Sequence, residues 1–302
     1  MSDDKQKQYK TEWSFSFDKL NEQIGDFVKS IGVPDEEVVK HETLSALIDG
    51  ATSARVQLDL SVGETTVGTL ADPTTLITAD VTYVGDIKFT VTGDQDKYVH
   101  LGQDNTASSW FRNALGFIGS SRKLKWEVAL SPSVPTVLDI NGGVGKMTFN
   151  LTDLNVTSLS IRGGTGEIDA TLPAKTERYT ADVNAGVGET SVKILPNTSV
   201  DLNLRTGTGE INVNVGEGAF GTLKINVGIG GCNLRLPAGA AIRLEAKTGI
   251  GDVSIHGHHL QQVRGGEEFI SKQGVWETPN YATADKQIAI KFEGGIGGLD
   301  IR

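Results

Sequence analysis

The sequence predicts an all-β protein, a β-solenoid-like stack of units about 21 residues long, with a short N-terminal helical segment ahead of it. Three observations carry this reading. A hydrophobic–Gly-x-Gly motif recurs at a near-constant interval, each copy runs into an alternating strand, and several strands end on Leu-Pro.

The copies read GGVGKMTFNL at 142–151, GGTGEIDATL at 163–172, AGVGETSVKI at 185–194, TGTGEINVNV at 206–215, VGIGGCNLRL at 227–236 and TGIGDVSIHG at 248–257, with GGIGGLDIR last. Their second glycines are Gly145, Gly166, Gly188, Gly209, Gly230, Gly251 and Gly297, at intervals of 21, 22, 21, 21, 21 and 46. These are the expected structural turn glycines, where the chain changes direction with no room for a Cβ. A shorter early copy is SVGETTVGTL at 61–70, and VGDIKFTV at 84–91 reads as a weaker one.

Each unit carries a strand before its glycines, such as SLSIR at 158–162 or VDLNLR at 200–205. After the glycines, Met147, Phe149 and Leu151 share a phase with Ile168, Ala170 and Leu172, with Ile211, Val213 and Val215, and with Cys232, Leu234 and Leu236. Period-two alternation sends these to one face. No unit can bury that face alone, but stacked neighbours can. The expectation is strands over 137–256, with Ile168, Val192, Val213 and Leu234 buried. Some nine coils at about 4.8 Å make a rod of roughly 40–45 Å. The rival is a β-sandwich, which also uses short strands at regular spacing. The return turns hold Leu172-Pro173, Leu195-Pro196 and Leu236-Pro237, and proline suits a strand end because it donates no ladder bond.

The organisation is then residues 1–49 as an N-terminal segment and 50–302 as the β domain. Regular repeats occupy 137–256, an excursion 257–286 and closing strands 287–302. In the N-terminal segment Phe17, Leu20, Ile24, Phe27, Val28 and Ile31 follow the spacing of one helix face, and Gly32 with Pro34 stops it. Trp13 and Phe15 lie upstream. This helix either caps the stack or docks a protein partner. A second apolar segment, SSWFRNALGFIGSSRK at 108–123, holds Trp110, Phe111, Leu115, Phe117 and Ile118. It is either a helix folded on the sheet or an interaction loop. The candidate partner-binding residues are thus Trp13, Phe17, Leu20, Ile24, Phe27, Trp110, Phe111 and Phe117.

Composition narrows the function. The chain of 302 residues has net charge −10, from 28 Lys+Arg against 38 Asp+Glu. That argues against nucleic acid or anionic lipid as partner. One cysteine, Cys232, leaves no intrachain disulfide framework. There is no apolar run of membrane-spanning length and no secretory signal pattern, so the expected location is cytoplasmic or peripheral to a membrane.

The tempting chemistry is thin. A dinucleotide fingerprint needs a third glycine opening a helix, and here each Gly-x-Gly enters a strand. Cys232 shares the core parity. His256, His258 and His259 cluster without a completing ligand. In-register stacking would set Glu167, Glu189 and Glu210 about 4.8 Å apart, where like charges repel and a cation would relieve them. A solvated face bonded to turn amides is the alternative. No catalytic residue, cofactor or metal is expected.

Gly-x-Gly-[Glu/Asp] followed by alternation and Leu-Pro resembles the toastrack domain of adhesin-type proteins and of LiaF-like cell-wall-active-antibiotic response proteins. GATSARVQLDLSVGETTVG at 50–68, KWEVALSPSVPTVLDINGGVG at 125–145 and VWETPNYATADKQIAIKFEGGIGGLDI at 275–301 extend the resemblance over roughly 50–302. It implies a stacked β fold without catalysis and a role in envelope-stress or membrane-linked systems. Many relatives carry transmembrane helices or a signal peptide where this chain has residues 1–50. Two functions follow: an interaction or scaffold module, self-associating or bound to a membrane-associated protein, in the envelope stress response; or an exported adhesin-like surface protein.

Overall fold

A computed structural model of the chain describes residues 39–103, 124–267 and 272–302. Among them are 21 strands and one short 3-10 turn at Tyr281–Thr283. The all-β stack is the observed architecture. The amphipathic helix predicted near residues 17–31 lies outside the described residues.

Each coil has two legs joined at a glycine corner. Strands β8 (Thr136–Asn150) and β9 (Val156–Thr171) run unbroken through their corners. In later coils the corner splits the legs into β10 (Tyr179–Val187) and β11 (Thr190–Ile194), β12 (Ser199–Thr208) and β13 (Ile211–Val215), and β14 (Phe220–Ile229) and β15 (Cys232–Arg235). Successive coils pair in parallel and in register: Ile161 opposes Val183, Val183 opposes Leu204, and Leu204 opposes Ile225. On the second leg Ile168 opposes Thr190, Thr190 opposes Ile211, and Ile211 opposes Cys232. Inward columns from both legs merge into one core that holds Ile168, Val192, Val213 and Leu234. This is the parity predicted from the repeat.

The coils do not stack in chain order at the two ends. The closing pair, β20 (Gln287–Ile296) and β21 (Leu299–Ile301), lies between the β14–β15 coil and the coil of β16 (Ala241–Ile250) and β17 (Val253–Ile255). Phe292 fits there between Ile225 and Ala246, a large side chain opposite a small one. At the other end, β2 (Ser53–Val62) and β3 (Glu64–Thr69) sit directly against β8. The coil of β6 (Asp96–Gln103) and β7 (Lys125–Leu130) lies outside them. Nine coils result, about 38 Å along the stack at 4.8 Å each.

Antiparallel strands flank both ends. β5 (Ile87–Thr92) pairs with β6, so 84–91 is an edge hairpin strand and not a weak repeat copy. Its Gly85 sits at φ +81°, in a turn that leads into that hairpin. β4 (Thr75–Tyr83) pairs with β7, and β1 (Lys40–Leu47) pairs with β4. The excursion forms a hairpin of β18 (Gln261–Glu267) and β19 (Lys272–Glu277), which pairs with β16. The change to antiparallel pairing ends the repeat, since a hairpin strand offers no corner for another coil.

Candidate functional site

The corner is built from two glycine columns. At the second glycine φ lies between +130° and +147° for all seven copies, a region that L side chains rarely adopt. A Cβ there would fall closer than 3.0 Å to the carbonyl oxygen of the equivalent glycine in the adjoining coil: Gly166 against Gly145, Gly188 against Gly166, and Gly209 against Gly188. The same test puts Gly297 against Gly230 and Gly251 against Gly297, which repeats the inserted order of the last coil. The first glycines nest likewise, with Gly164 against Gly143 and Gly228 against Gly207.

The residue between the two glycines (between Ser61 and Gly63 in the first copy) therefore stands on the rim with no large side chain beside it along its own coil. Register aligns these residues into one β-branched column. It starts at Val62 and Val144, continues through Thr165, Val187 and Thr208, and ends at Ile229, Ile296 and Ile250. Burial falls along it. Val62 is 3% exposed, and it packs with Val84, Leu124, Val39 and Val144 in a small cluster separate from the main core. The middle rungs are half-buried. Ile229, Ile296 and Ile250 are 51%, 50% and 55% exposed, half of the exposed large apolar residues among those described. The other three, Leu47, Tyr98 and Val263, lie on β1, β6 and β18.

Both apolar segments singled out in the sequence attach at the covered end of this column. Val39 follows residues 1–38. Leu124 follows 104–123; on the flanking strands Gly102 aligns with Asp59 and Lys125 aligns with Glu64. Trp13, Phe17, Leu20, Ile24 and Phe27, and Trp110, Phe111 and Phe117, lie outside the described residues.

The glutamates expected to form a cation face line up beside the corner, and each has a partner. Lys146 Nζ donates to Glu167 at 2.9 Å, Asn212 to Glu189 at 2.9 Å and Asn233 to Glu210 at 2.5 Å. The asparagines reach diagonally from two residues further along the next coil, so Glu189 and Glu210 each hold an amide donor as Glu167 holds Lys146. Asn233 also donates to Asn212 at 2.9 Å, which links the amides into a ladder.

On the first leg Asp59 accepts from Asn141 at 2.6 Å and from Gln57 at 2.8 Å, and it meets His100 at 2.7 Å. Burial raises its pKa, but the bonds from Asn141, His100 and Gln57 outweigh burial and hold the carboxyl below the usual range. Arg178 grips Asp201 with two bonds, at 2.8 and 2.6 Å, and holds that carboxyl low as well.

Cys232 is a core rung between Ile211 and Leu299, and burial, with Glu210 nearby, pushes its thiol up to about 12. A neutral buried thiol is a poor nucleophile. His256 lies 3.9 Å from Asp300, His258 is buried with Nδ1 unpartnered, and His259 is exposed at φ +50°. Among the described residues no group of three His, Cys, Asp or Glu could hold a metal ion, and no helix is long and apolar enough to cross a membrane. The exposed end of the β-branched column was not singled out from the sequence. Its signal was present in the x position of the repeat, which turns from Val or Thr to Ile in the last three copies.

The family described as the N-terminal domain of toast_rack, DUF2154, matches residues 34–193, more than half of the chain, and the chain belongs to this family. Solved structures similar to it include a candidate cell adhesion protein from Clostridium sporogenes, at 18% identity and TM-score 0.49, covering 87% of this chain and 99% of that one. Another is a candidate adhesin from Bacteroides fragilis, at 10% identity and TM-score 0.31, covering 90% of this chain and 100% of that one. None of the curated proteins matches.

Proposed function

We propose that this toast-rack chain is a non-enzymatic interaction module, a rigid rod that presents the Ile229–Ile296–Ile250 ridge to a protein partner. The carrying observation is the ridge itself: three adjacent isoleucines, each half in water, beside faces whose polar groups bond to one another. A contiguous exposed apolar patch on an otherwise polar surface marks an interaction site. Membership of the family supports an interaction module over an enzyme.

The setting we propose is the bacterial cell envelope, with the chain on the cytoplasmic side at the periphery of the membrane. The resemblance to LiaF-like proteins supports that setting. An exported adhesin-like protein is the second reading, and cell fractionation separates the two.

The test is co-purification from cells that express the tagged full chain or a variant with Ile229, Ile296 and Ile250 all replaced by Ser. The variant should keep its β-type circular dichroism and lose the partner. An unchanged set of co-purifying proteins overturns the ridge as the contact.

A further inference from the structure

We infer that the outer edge of β17 is a binding site for an extended peptide of a partner protein, one with a basic residue followed by aliphatic residues at alternate positions. The peptide adds to the stack as the second leg of a further coil. This goes beyond the isoleucine ridge, because backbone groups carry it.

Three of the four edges of the stack are closed by antiparallel strands. β5 covers β6, β4 covers β7 and β19 covers β16. β17 is the fourth, and among the described residues it pairs with β21 alone. The repeat itself sets which of its groups point outward. Just after each corner an N–H donates to the next coil: Ile168 to Glu189, Thr190 to Glu210, Ile211 to Gly231, Cys232 to Gly298 and Leu299 to Asp252, each at 2.9 Å. Val253 holds the equivalent position in the outermost coil. The corner glycines do likewise, Gly230 to Ile296 and Gly297 to Ile250 at 2.8 Å, and Gly251 is the next in that series. At the far end of β17, His256 N donates back to Ile301 O at 2.9 Å, so alternation along the strand turns Ile255 outward. Gly251, Val253 and Ile255 thus present outward N–H groups at every second residue. An extended chain matches that row, because its own carbonyls recur at the same spacing.

The side chains beside the edge select the peptide. They form a cleft of about 320 Å³, lined by Val253, Ile255, His258, Leu260 and Trp276 among others. Along the second legs each inward residue is covered by its equivalent in the next coil, Cys232 by Leu299 and Leu299 by Val253. Aliphatic residues of the peptide continue these columns into the cleft. His258 is 9% exposed, and its Nδ1 has no partner. Buried polar atoms are normally hydrogen-bonded, and a peptide in the cleft brings that nitrogen one. On the outer face Asp252 is exposed, at the outer end of the column that opens with Lys146 and Glu167. Lys146 meets Glu167 across adjoining coils at 2.9 Å. A basic residue of the added strand would meet Asp252 in the same way, and opposite charges across strands attract.

The test uses the full chain and a fluorescein-labelled heptapeptide with lysine at its second residue and valine at its third, fifth and seventh. Fluorescence anisotropy reads binding, and amide hydrogen exchange reads the site. Saturating peptide should slow exchange at Val253 and Ile255 by at least about 10-fold and leave the edge strand β5 unaffected. Asp252→Lys should weaken the lysine peptide by at least about 3-fold and favour the same peptide with glutamate at its second residue. Ile255→Pro removes an outward N–H at a place where an edge tolerates proline, and it should weaken both peptides about 10-fold. If Ile255→Pro loses its β-type circular dichroism, the charge exchange at the exposed Asp252 decides alone.

No binding at millimolar peptide, protection confined to other strands, or an Asp252→Lys chain that treats both peptides alike overturns the inference. So does protection of Val253 and Ile255 that rises with protein concentration alone, which assigns the edge to a second copy. The chain with Ile229, Ile296 and Ile250 replaced by Ser should still bind the peptide. Loss of binding there, with Asp252→Lys binding unchanged, places the peptide on the ridge and overturns the edge. Failure of the edge leaves the ridge standing, because co-purification with the ridge variant tests that surface independently.

Discussion

Replacing Gly209 by Ala perturbs the stacking at its tightest element. Gly209 sits in mid-column at φ +145°, and its new Cβ would point at the Gly188 carbonyl oxygen from inside 3.0 Å. Holding a non-glycine residue in such a conformation costs about 1–3 kcal/mol. Relief by backbone movement strains two ladder bonds, Gly209 N to Ile229 O at 2.8 Å and Gly188 N to Thr208 O at 2.9 Å. Weakening one of them adds about 0.5–1.5 kcal/mol. The total is about 1.5–4.5 kcal/mol, or roughly 3–18 °C in melting temperature at 2–4 °C per kcal/mol. The control is Gly231→Ala, one residue past the next corner, where φ is unexceptional and a Cβ meets nothing within 4 Å. It should stay within about 0.5 kcal/mol of the parent. Urea titration followed by circular dichroism measures both. The nested-corner account fails if Gly209→Ala lies within about 1 kcal/mol of Gly231→Ala. Gly251→Ala should fall between them, because its coil has no further corner outside it and can shift outward.

Two further predictions concern charge. The folded-state pKa of Asp59 is depressed, so its contribution is present above the unfolded value of about 3.9 and is lost as pH falls from there towards the folded value. Asp59→Asn should therefore lower the urea midpoint at pH 7 and flatten its fall below about pH 4; parallel acid limbs in parent and variant would count against the Asn141–Asp59–His100 bonds. Millimolar calcium should leave the melting curve unmoved, because Glu167, Glu189 and Glu210 already hold donors. A site filled at 100 times its dissociation constant would add about 2.7 kcal/mol, and a rise of that kind absent from Glu189→Gln would establish a cation face.

The regular part of the stack was legible because two periods reinforce one another. A 21-residue interval sets the coil, and a two-residue alternation sets which side chains enter it, so the buried positions of Ile168, Val213 and Cys232 follow from spacing alone. The order of coils at the ends was not legible. Nothing local in GGIGGLDIR distinguishes a coil at the end of the stack from one inserted beside β14, because every rung presents the same glycine corner and the same parity to its neighbours. Placement is decided by what lies between. The β18–β19 hairpin takes the outer edge of β16, and the closing coil fills the remaining place. β1 was missed for the opposite reason. As an edge strand it is mostly exposed, and its alternation is confined to Leu44 and Ala46, which pack partly buried against the core.

The acidic column and the apolar ridge follow from the same geometry and reach opposite outcomes. Perfect register multiplies whatever a position carries, so a glutamate after the corner becomes a row of like charges and a β-branched residue within it becomes a hydrophobic strip. The charged row has a local remedy. An asparagine two residues on, in the following coil, donates to the carboxylate of the preceding one, and the sequence uses it at Asn212 for Glu189 and at Asn233 for Glu210. The apolar strip has none, because its residues are flanked by glycines that cannot shield it and cannot be enlarged without a clash with the adjoining carbonyl. Thr165 and Thr208 moderate it in mid-stack, whereas Ile229, Ile296 and Ile250 do not. Water exposure of that end costs free energy that only cover from outside the coils can recover. The corner that makes the stack possible thus also creates its one contiguous exposed apolar strip among the described residues, and this ties the fold to a role in binding.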